Sequence, residues 1–377
     1  MLRDAVALKL EILSQGINFR PEFLSEYQRR SELIEKRRAY GSGDKEVLRD
    51  QRVPQEAILD GDIICALNHS PGSSWFLEFG ADGPCVTNGE QQHGIRFPST
   101  PRSYGVSLSN GVPLEKVATI YGNTTIGIFT PGHCFYFNDE QQCKFCSLGP
   151  ARDLLSDHDM AISPQLAAEC VTHAIASDPG RYRHVLINGG NIRDYDRGFA
   201  RQVRIHTAIR ELDLPPSIER HLISMPPKDF RLFESFAAAG GTLAMSLELF
   251  DREHFERLCP GKARDYGRDR FLAAFEAAVA TIGRGKVYAG LVAGLEPLSA
   301  ITEAIEFFGE MGAVPAVAVF HPDYGSLLVD HPRPTREFLQ AVGRTMSAVY
   351  AKHSFRPFIT GSGRNSLDTE AYLGGFA

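Results

Sequence analysis

The sequence predicts an α/β protein, a partial (β/α)6 barrel of the TIM type with an N-terminal extension and a C-terminal capping tail. From about residue 116 onward, apolar runs of strand length alternate with runs of helical periodicity. This alternation favours parallel strands joined by crossover helices. The chain has 377 residues, which is long enough to bury a substantial core. In barrels of this type, chemistry takes place at the carboxyl ends of the strands.

Three segments are predicted along the chain: the N-terminal extension over 1–115, the barrel over 116–330, and a C-terminal helix and tail over 331–377. The extension begins with an amphipathic helix that ends near Gly16. A charged run from Glu26 to Arg38 is interpreted as a solvated helix, and the remainder is irregular. After a helix over Pro334–Ala351, we expect the Gly- and Ser-rich tail to fold over the open barrel mouth.

The barrel elements follow from the apolar runs and from the glycines that stop helices, Gly240, Gly241 and Gly283. The predicted strands are Thr124–Thr130, His184–Asn188, Ser217–Ile223, Thr242–Leu249, Lys286–Ala293 and Ala316–Phe320. The predicted helices between them are Pro164–Ser177, Phe199–Leu212, Asp229–Ala239, Arg268–Ile282 and Ser299–Met311.

Composition excludes several classes of function. The net charge of −6 gives no reason to expect a nucleic-acid or anionic-membrane partner. No window holds the roughly 18 apolar residues that a membrane span needs, and the first helix has charges inside its apolar pattern, unlike a signal peptide. The odd number of cysteines, seven, favours a reducing, cytoplasmic setting. Four of them, Cys65, Cys85, Cys170 and Cys259, are isolated and are predicted to be small buried hydrophobic residues.

The other three cysteines lie close together after the first barrel strand. Cys134, Cys143 and Cys146 have the spacing Cys-x8-Cys-x2-Cys. Thiolates select iron–sulfur clusters, zinc or copper. A closed zinc site needs a fourth ligand such as His133, whereas a four-iron cluster held by three cysteines keeps one iron open for another ligand.

This arrangement resembles the radical S-adenosylmethionine superfamily. Its members hold a [4Fe–4S] cluster with three cysteines on the loop after the first barrel strand, and the fourth iron binds the amino and carboxylate groups of S-adenosylmethionine. The resemblance implies both cofactors for this chain, with Cys134, Cys143 and Cys146 as iron ligands. The commonest spacing in the superfamily is Cys-x3-Cys-x2-Cys, from which the eight-residue gap departs.

Further motifs on later strands fit the resemblance. Gly189, Gly190 and Asn191 resemble the Gly-Gly-Glu region that meets the amino group of S-adenosylmethionine, although Asn191 replaces the glutamate. Ser246 and Glu248 resemble the Ser-x-Glu segment that binds the ribose or methionyl group.

The carboxylate and adenine contacts implied by the resemblance lie further along the chain. Arg268 or Arg270 would pair with the carboxylate, because a guanidinium fork suits a planar carboxylate. Val292, within Gly290–Glu296, would contact adenine through its backbone.

Each of these motifs also has a purely structural interpretation. Gly189 and Gly190 could form a βα turn, and Glu248 could be a strand-end carboxylate that pairs with a surface arginine. Arg268 and Arg270 could be solvated helix charges.

The cysteine spacing, with the segment from Glu248 to Pro260-Gly261-Lys262, also looks similar to a subgroup encoded beside nitrilases in bacterial gene clusters. The resemblance implies an enzyme that reductively cleaves S-adenosylmethionine to a 5′-deoxyadenosyl radical and abstracts hydrogen from a small molecule, in nitrile or cyanide metabolism. Flavodoxin or ferredoxin would donate the electron. Two alternatives remain: a radical enzyme of natural-product or cofactor biosynthesis, and a non-catalytic iron–sulfur or zinc-binding regulatory protein.

Overall fold

The computed structural model describes residues 2–30, 32–33, 53–153 and 162–376. The N-terminal extension begins with two helices, α1 (Leu2–Gln15) and α2 (Pro21–Arg29). The first confirms the predicted amphipathic helix. The second covers the start of the predicted charged helix, whose remainder lies largely outside the described residues.

Two small antiparallel sheets complete the extension, which sequence patterns had left irregular. The strands are β1 (Glu56–Ile58), β2 (Ile64–Ala66), β3 (Phe76–Gly80), β4 (Gly83–Thr87) and β5 (Gln92–Gly94). β1 pairs with β2, and β4 lies between β3 and β5. All five are short, with turn residues between them, so they present little periodicity to detect.

The main sheet has seven strands in the order β12-β11-β10-β9-β8-β7-β6. They are β6 (Ala118–Tyr121), β7 (Thr125–Phe129), β8 (His184–Asn188), β9 (Glu219–Ile223), β10 (Thr242–Glu248), β11 (Val287–Ala293) and β12 (Val314–Val319). β7 to β12 are mutually parallel, and this confirms the predicted α/β class with a parallel sheet. β6 is an added antiparallel edge strand that hydrogen-bonds to β7 and was not predicted.

Helices follow the parallel strands, and those that the sequence predicts lie close to their predicted bounds. They are α3 (Leu148–Asp153), α4 (Pro164–Ser177), α5 (Tyr195–Arg210), α6 (Leu232–Ala239), α7 (Arg252–Leu258), α8 (Pro260–Asp265), α9 (Arg268–Ile282), α10 (Leu298–Met311), α11 (Arg336–His353) and α12 (Asp368–Tyr372). Side chains cap several of them: Ser163 accepts from Leu166 N, and Thr335 accepts from Phe338 N. The short helices α7 and α8 were not predicted, and they precede α9 directly.

The C-terminal tail spans the gap between the two edge strands of the main sheet. Asn365 O accepts from Val319 N at 2.9 Å on the β12 side. On the other side, the Ser362 hydroxyl lies 2.7 Å from the Thr124 hydroxyl. A Cβ at Gly122 would lie 2.1 Å from Ser362 O, so only glycine permits this approach. The tail therefore closes the side of the sheet, where we had expected it to cover the mouth.

The N-terminal extension packs against the tail and shares one hydrophobic core with the barrel. Lys9 of α1 donates to Glu370 Oε1 at 2.6 Å and to Gly363 O at 3.1 Å. Both side chains of this ion pair are buried, with 0% and 2% exposure. The described part of the chain shares one hydrophobic core across the predicted boundaries near 115 and 330. The division into three segments at these boundaries stays a prediction.

Within the described residues, no helix combines the length and the apolar character that crossing a bilayer demands.

The buried ion pair between α1 and the tail makes a prediction for stability. Lys9→Met leaves the Glu370 carboxylate buried without its cation, and we expect a loss of roughly 3–5 kcal/mol in the free energy of unfolding. Lys352→Met is the control: its ion pair with Glu310 is exposed, so its loss should change stability by at most about 1 kcal/mol. Urea denaturation measures both variants. Equal stability of the two variants would contradict the assigned role of Lys9.

Candidate metal centre

The three clustered cysteines lie on the loop that leaves the carboxyl end of β7. Cys134 immediately precedes a single 3₁₀ turn, Phe135–Phe137, and is 9% exposed. Cys143 and Cys146 enclose a tight turn in which Cys146 N donates to Cys143 O at 2.9 Å. The loop therefore presents three thiols at the edge where parallel barrels carry their chemistry.

The loop rests directly on the backbone that follows β8. Gly190 N donates to Pro131 O at 2.8 Å, and Phe135 N donates to Asn191 O at 2.9 Å. A Cβ at Gly189 would lie 2.4 Å from Thr130 O, and one at Gly190 would lie 2.2 Å from His133 O. The two glycines are thus required by close backbone contact, whether or not they also meet S-adenosylmethionine.

The eight-residue gap between Cys134 and Cys143 is ordered by its own side chains. Tyr136 is buried, and its hydroxyl lies 2.5 Å from that of Tyr195 on α5. Asp139 forms an ion pair with Arg193 at 2.8 Å. The long gap is therefore packed against the barrel rather than open to the solvent along its length.

A second segment, residues 258–262 at the junction of α7 and α8, holds the loop from the other side; we call it the brace. Leu258 O accepts from Lys144 N at 2.8 Å, and Gly261 N donates to Gln141 O at 3.0 Å. A Cβ at Gly261 would lie 2.3 Å from the Tyr136 ring. Cys259 lies between these two backbone bonds and is fully buried against the cysteine loop.

The thiols of the loop differ in their ease of ionisation. The hydrogen bond from Cys259 lowers the pKa of Cys143 although burial opposes it. Burial raises the pKa of Cys134, partly offset by hydrogen bonds from the backbone N–H groups of Asn191 and Tyr136. Burial also raises the pKa of Cys146, and the charge of Cys143 adds to this shift. Because the three thiols act on each other's ionisation, they form one site.

The donor set fits an iron–sulfur cluster better than a single zinc ion. Tetrahedral zinc brings its sulfur ligands to about 3.8 Å from one another. Among the residues that the structure describes, only His184, Glu219 and His221 bring three ligand atoms within 4.8 Å of one another. Cys134, Cys143 and Cys146 do not meet this criterion, so at least two of their sulfurs lie more than 4.8 Å apart. This is wider than a single zinc ion permits and is compatible with the larger body of a [4Fe–4S] cluster.

The group His184, Glu219 and His221 has a structural explanation. His184 Nδ1 lies 2.9 Å from His221 Nε2, while His184 Nε2 lies 3.2 Å from Thr360 O. His221 Nδ1 lies 2.6 Å from the Thr242 hydroxyl. All four ring nitrogens belong to one hydrogen-bonded chain from β10 to the tail, and burial lowers the pKa of both histidines.

The predicted Ser246 and Glu248 lie together at the carboxyl end of β10. Glu248 has a left-handed backbone with φ of 77°, next to an irregularity in the pairing of β10 with β11. Its carboxylate accepts from Lys262 Nζ at 2.8 Å, and the same ammonium donates to Ser246 O at 2.7 Å. Glu248 thus forms an ion pair at a strand end, as its structural alternative predicts, but its partner is a buried lysine of the brace and not a surface arginine.

The remaining predicted contacts lie in other surroundings. Arg268 Nε donates to Phe250 O at 2.6 Å, and Arg270 donates to Lys228 O at 2.6 Å. Val292 is buried within β11. Nearby, a Cβ at Gly290 would lie 2.7 Å from the Ser246 hydroxyl, which explains a glycine at this position of the motif. Binding of S-adenosylmethionine by these residues stays a prediction.

Sequence reasoning missed two residues of the centre, Cys259 and Lys262. We interpreted Cys259 as an isolated buried cysteine, and it is fully buried, but it contacts the cysteine loop. Burial alone would lower the pKa of Lys262, yet Glu248 and the neighbouring cysteines raise it on balance. The sequence feature that could have indicated them is Pro260-Gly261, which lies between the two residues. Pro260 begins a helix, and the glycine after it allows close packing against Tyr136.

A cavity of about 340 Å³ lies inside the curve of the main sheet, because its lining includes residues of β6 through β12. Ser246, Glu248 and Asn188 line it at the strand ends. Its exposed lining is mainly apolar, and Gln55 and Arg364 bring in the N-terminal extension and the tail. The charge of Glu248 also acts on the ionisation of Cys143 and Cys146, so cavity and thiols are neighbours.

Comparison with known proteins finds no matching family model. In sequence, the chain is similar to bacteriochlorophyllide c C-7(1)-hydroxylase of Chlorobaculum limnaeum, with 25% identity over 293 residues, 74% of this chain and 71% of the hydroxylase. The similarity to a hydroxylase agrees with the prediction that this chain is an enzyme.

Among solved structures, the chain is similar to HydG, a maturase of the [FeFe]-hydrogenase, with a TM-score of 0.47 and 15% identity over 63% of this chain and 52% of HydG. It is also similar to a radical SAM methyltransferase from Sphaerobacter thermophilus, with a TM-score of 0.47 and 14% identity over 78% and 82% of the two chains. The chain therefore spans about half the length of HydG. At these TM-scores the likeness does not bear on function.

The close contact at Gly190 makes a prediction for metal loading. In Gly190→Ala, the new methyl group collides with the backbone of His133, so the loop must move and the thiols lose their arrangement. We expect most of the iron to be lost, measured as iron per chain after anaerobic purification. Gly72→Ala is the matched control, because a Cβ there meets nothing within 4 Å. Full iron content in Gly190→Ala would show that the loop does not depend on this contact.

Proposed function

We propose that this chain is a radical S-adenosylmethionine enzyme that holds a [4Fe–4S] cluster through Cys134, Cys143 and Cys146. The observation that carries the proposal is the position of three thiols, spaced wider than a single ion requires, at the carboxyl edge of six parallel strands. They adjoin a cavity inside the sheet. The iron without a protein ligand would be the binding site of S-adenosylmethionine.

When bound, the two cofactors supply a 5′-deoxyadenosyl radical, which takes a hydrogen atom from the substrate. The chain's own residues position and shield this chemistry. Gly189 and Gly190 fix the position of the cysteine loop relative to the carboxyl end of β8 through close backbone contacts. Glu248, held in place by Lys262, offers a carboxylate at the cavity edge for the polar groups of S-adenosylmethionine. The apolar lining of the cavity would exclude water from the radical and the substrate.

The cavity indicates the kind of substrate. Its exposed lining is mainly apolar, which favours a small, largely apolar molecule. Polar side chains occupy the wall that the tail and the extension build: the Arg364 guanidinium lies 3.2 Å from Gln55 Oε1 and 3.4 Å from Glu56 Oε2. Since acidic groups already accompany Arg364, a neutral polar group on the substrate suits this wall better than a carboxylate.

The similarity to a hydroxylase of bacteriochlorophyllide c favours a biosynthetic role, one of the two alternatives that the sequence left open. We therefore place the reaction in natural-product or cofactor biosynthesis. A role in nitrile or cyanide metabolism rests on the cysteine spacing and on the segment from Glu248 to Lys262, and the similar proteins lend it no support. Flavodoxin or ferredoxin as electron donor, and a cytoplasmic location, belong to the same proposal.

Anaerobic purification tests the proposed function. We expect a brown protein with absorbance near 400 nm that, with dithionite and S-adenosylmethionine, yields 5′-deoxyadenosine. Cys134→Ala, Cys143→Ala and Cys146→Ala should each abolish colour and cleavage, because each removes an iron ligand. Cys85→Ala is the control, since Cys85 is buried in the small sheet of the extension.

Two outcomes would refute the proposal. A colourless protein with one zinc per chain and no cleavage would favour the regulatory alternative. Loss of colour in Cys85→Ala to the same extent as in Cys134→Ala would mean that the ligands are wrongly assigned.

A further inference from the structure

We propose that two side chains of the brace, the Cys259 thiol and the Lys262 ammonium, raise the reduction potential of the cluster and act as positioning residues for its surroundings. This inference rests on the proposed function, because it needs a cluster at Cys134, Cys143 and Cys146. Neither residue is a predicted ligand of iron or of S-adenosylmethionine, and both are buried where a hydrophobic residue would otherwise be expected.

Lys262 is the first part of the argument. Its side chain is only 7% exposed, and its ammonium donates to Glu248 at 2.8 Å and to Ser246 O at 2.7 Å. A lysine is rarely buried this deeply unless its charge is paired with another group. One carboxylate partially neutralises it. Lys262 directly follows Gly261, whose N–H donates to Gln141 O two residues before Cys143, and its positive charge contributes to the lowered pKa of Cys143. A positive charge beside a thiolate ligand stabilises the reduced, more negative cluster.

Cys259 is the second part. It is fully buried between two backbone hydrogen bonds that fix the brace on the cysteine loop, Leu258 O with Lys144 N and Gly261 N with Gln141 O. Held there, its thiol can donate a hydrogen bond to the sulfur of Cys143, which agrees with the lowered pKa of Cys143. Hydrogen bonds to cluster sulfurs withdraw electron density from the iron and raise its potential. Cys259 therefore acts on the cluster through Cys143 without being a ligand.

Glu248 supplies a contrast that a purely structural role could not produce. It touches the same ammonium but carries the opposite charge, and it also acts on Cys143 and Cys146. Removal of its charge should raise the potential, whereas removal of the Lys262 charge should lower it. General loosening of the site would move both variants in the same direction.

The experiment is a redox titration of the anaerobically purified, full-length protein, followed by electron paramagnetic resonance without S-adenosylmethionine. We expect the midpoint potential to become more negative in Lys262→Met and in Cys259→Ala, and less negative in Glu248→Gln. Cys259→Ser keeps a donor and should lie between wild type and Cys259→Ala. Lys262→Met/Glu248→Gln removes both charges, so its potential should return toward that of the wild type.

Two variants control for unrelated changes. Cys170→Ala removes the buried thiol of Cys170 on α4, which donates to the backbone oxygen of Leu114. Lys352→Met removes an exposed charge. Both variants should keep the wild-type potential. Iron per chain is measured for every variant. If Lys262→Met fails to hold a cluster, Glu248→Gln, Cys259→Ser and the double variant still decide the question.

The inference is overturned if the potentials of the brace variants equal that of the wild type, or if Lys262→Met and Glu248→Gln shift in the same direction. Failure of the proposed function looks different: the wild-type protein then holds no four-iron cluster, or holds one that does not cleave S-adenosylmethionine. In the second case the titration still tests the brace.

Discussion

The candidate centre depends on the contact between two pieces of backbone, the cysteine loop after β7 and the glycine pair after β8. At Gly189 and Gly190 the chains approach so closely that a methyl group would lie within about 2.4 Å of backbone atoms of the loop. Hydrogen bonds at both ends, Gly190 to Pro131 and Phe135 to Asn191, fix the register of this contact. The thiols therefore take their positions from the parallel sheet, and sites supported by strands are held more precisely than sites supported by loops alone.

The charged groups around the centre show why the brace is part of it. A buried lysine and a partly buried glutamate are each unfavourable alone, and their pairing offsets only some of the desolvation. Glu248 also adopts a left-handed backbone, which usually costs about 1–3 kcal/mol for a non-glycine residue. The fold retains both features at one strand end beside three thiols. Such local departures from stability are expected where a site is adapted to chemistry rather than to packing.

Sequence patterns predicted the parallel part of the fold because each of its elements has a strong local signal. The strand His184–Asn188 and the helices Pro164–Ser177 and Arg268–Ile282 occur with the predicted bounds. The three clustered cysteines, Cys134, Cys143 and Cys146, carried a spacing signal of the same kind. By contrast, Cys259 lies more than a hundred residues from Cys143, and only the tertiary packing of the brace joins them. The antiparallel strand β6 was missed because its four residues have too little periodicity to detect.

The extension and the tail are harder to predict for a related reason, yet the structure makes them part of the cavity. Six parallel strands cannot close on themselves, and the described edge strands β6 and β12 are connected through the tail. Glu56 of the extension joins both sides, since it accepts from Gly122 N at 3.1 Å and pairs with Arg364 at 3.4 Å. The polar wall of the cavity, where we propose that a polar group of the substrate binds, is therefore built by segments outside the barrel. The extension and the tail can therefore change the substrate specificity of such a barrel without changing the site at the strand ends.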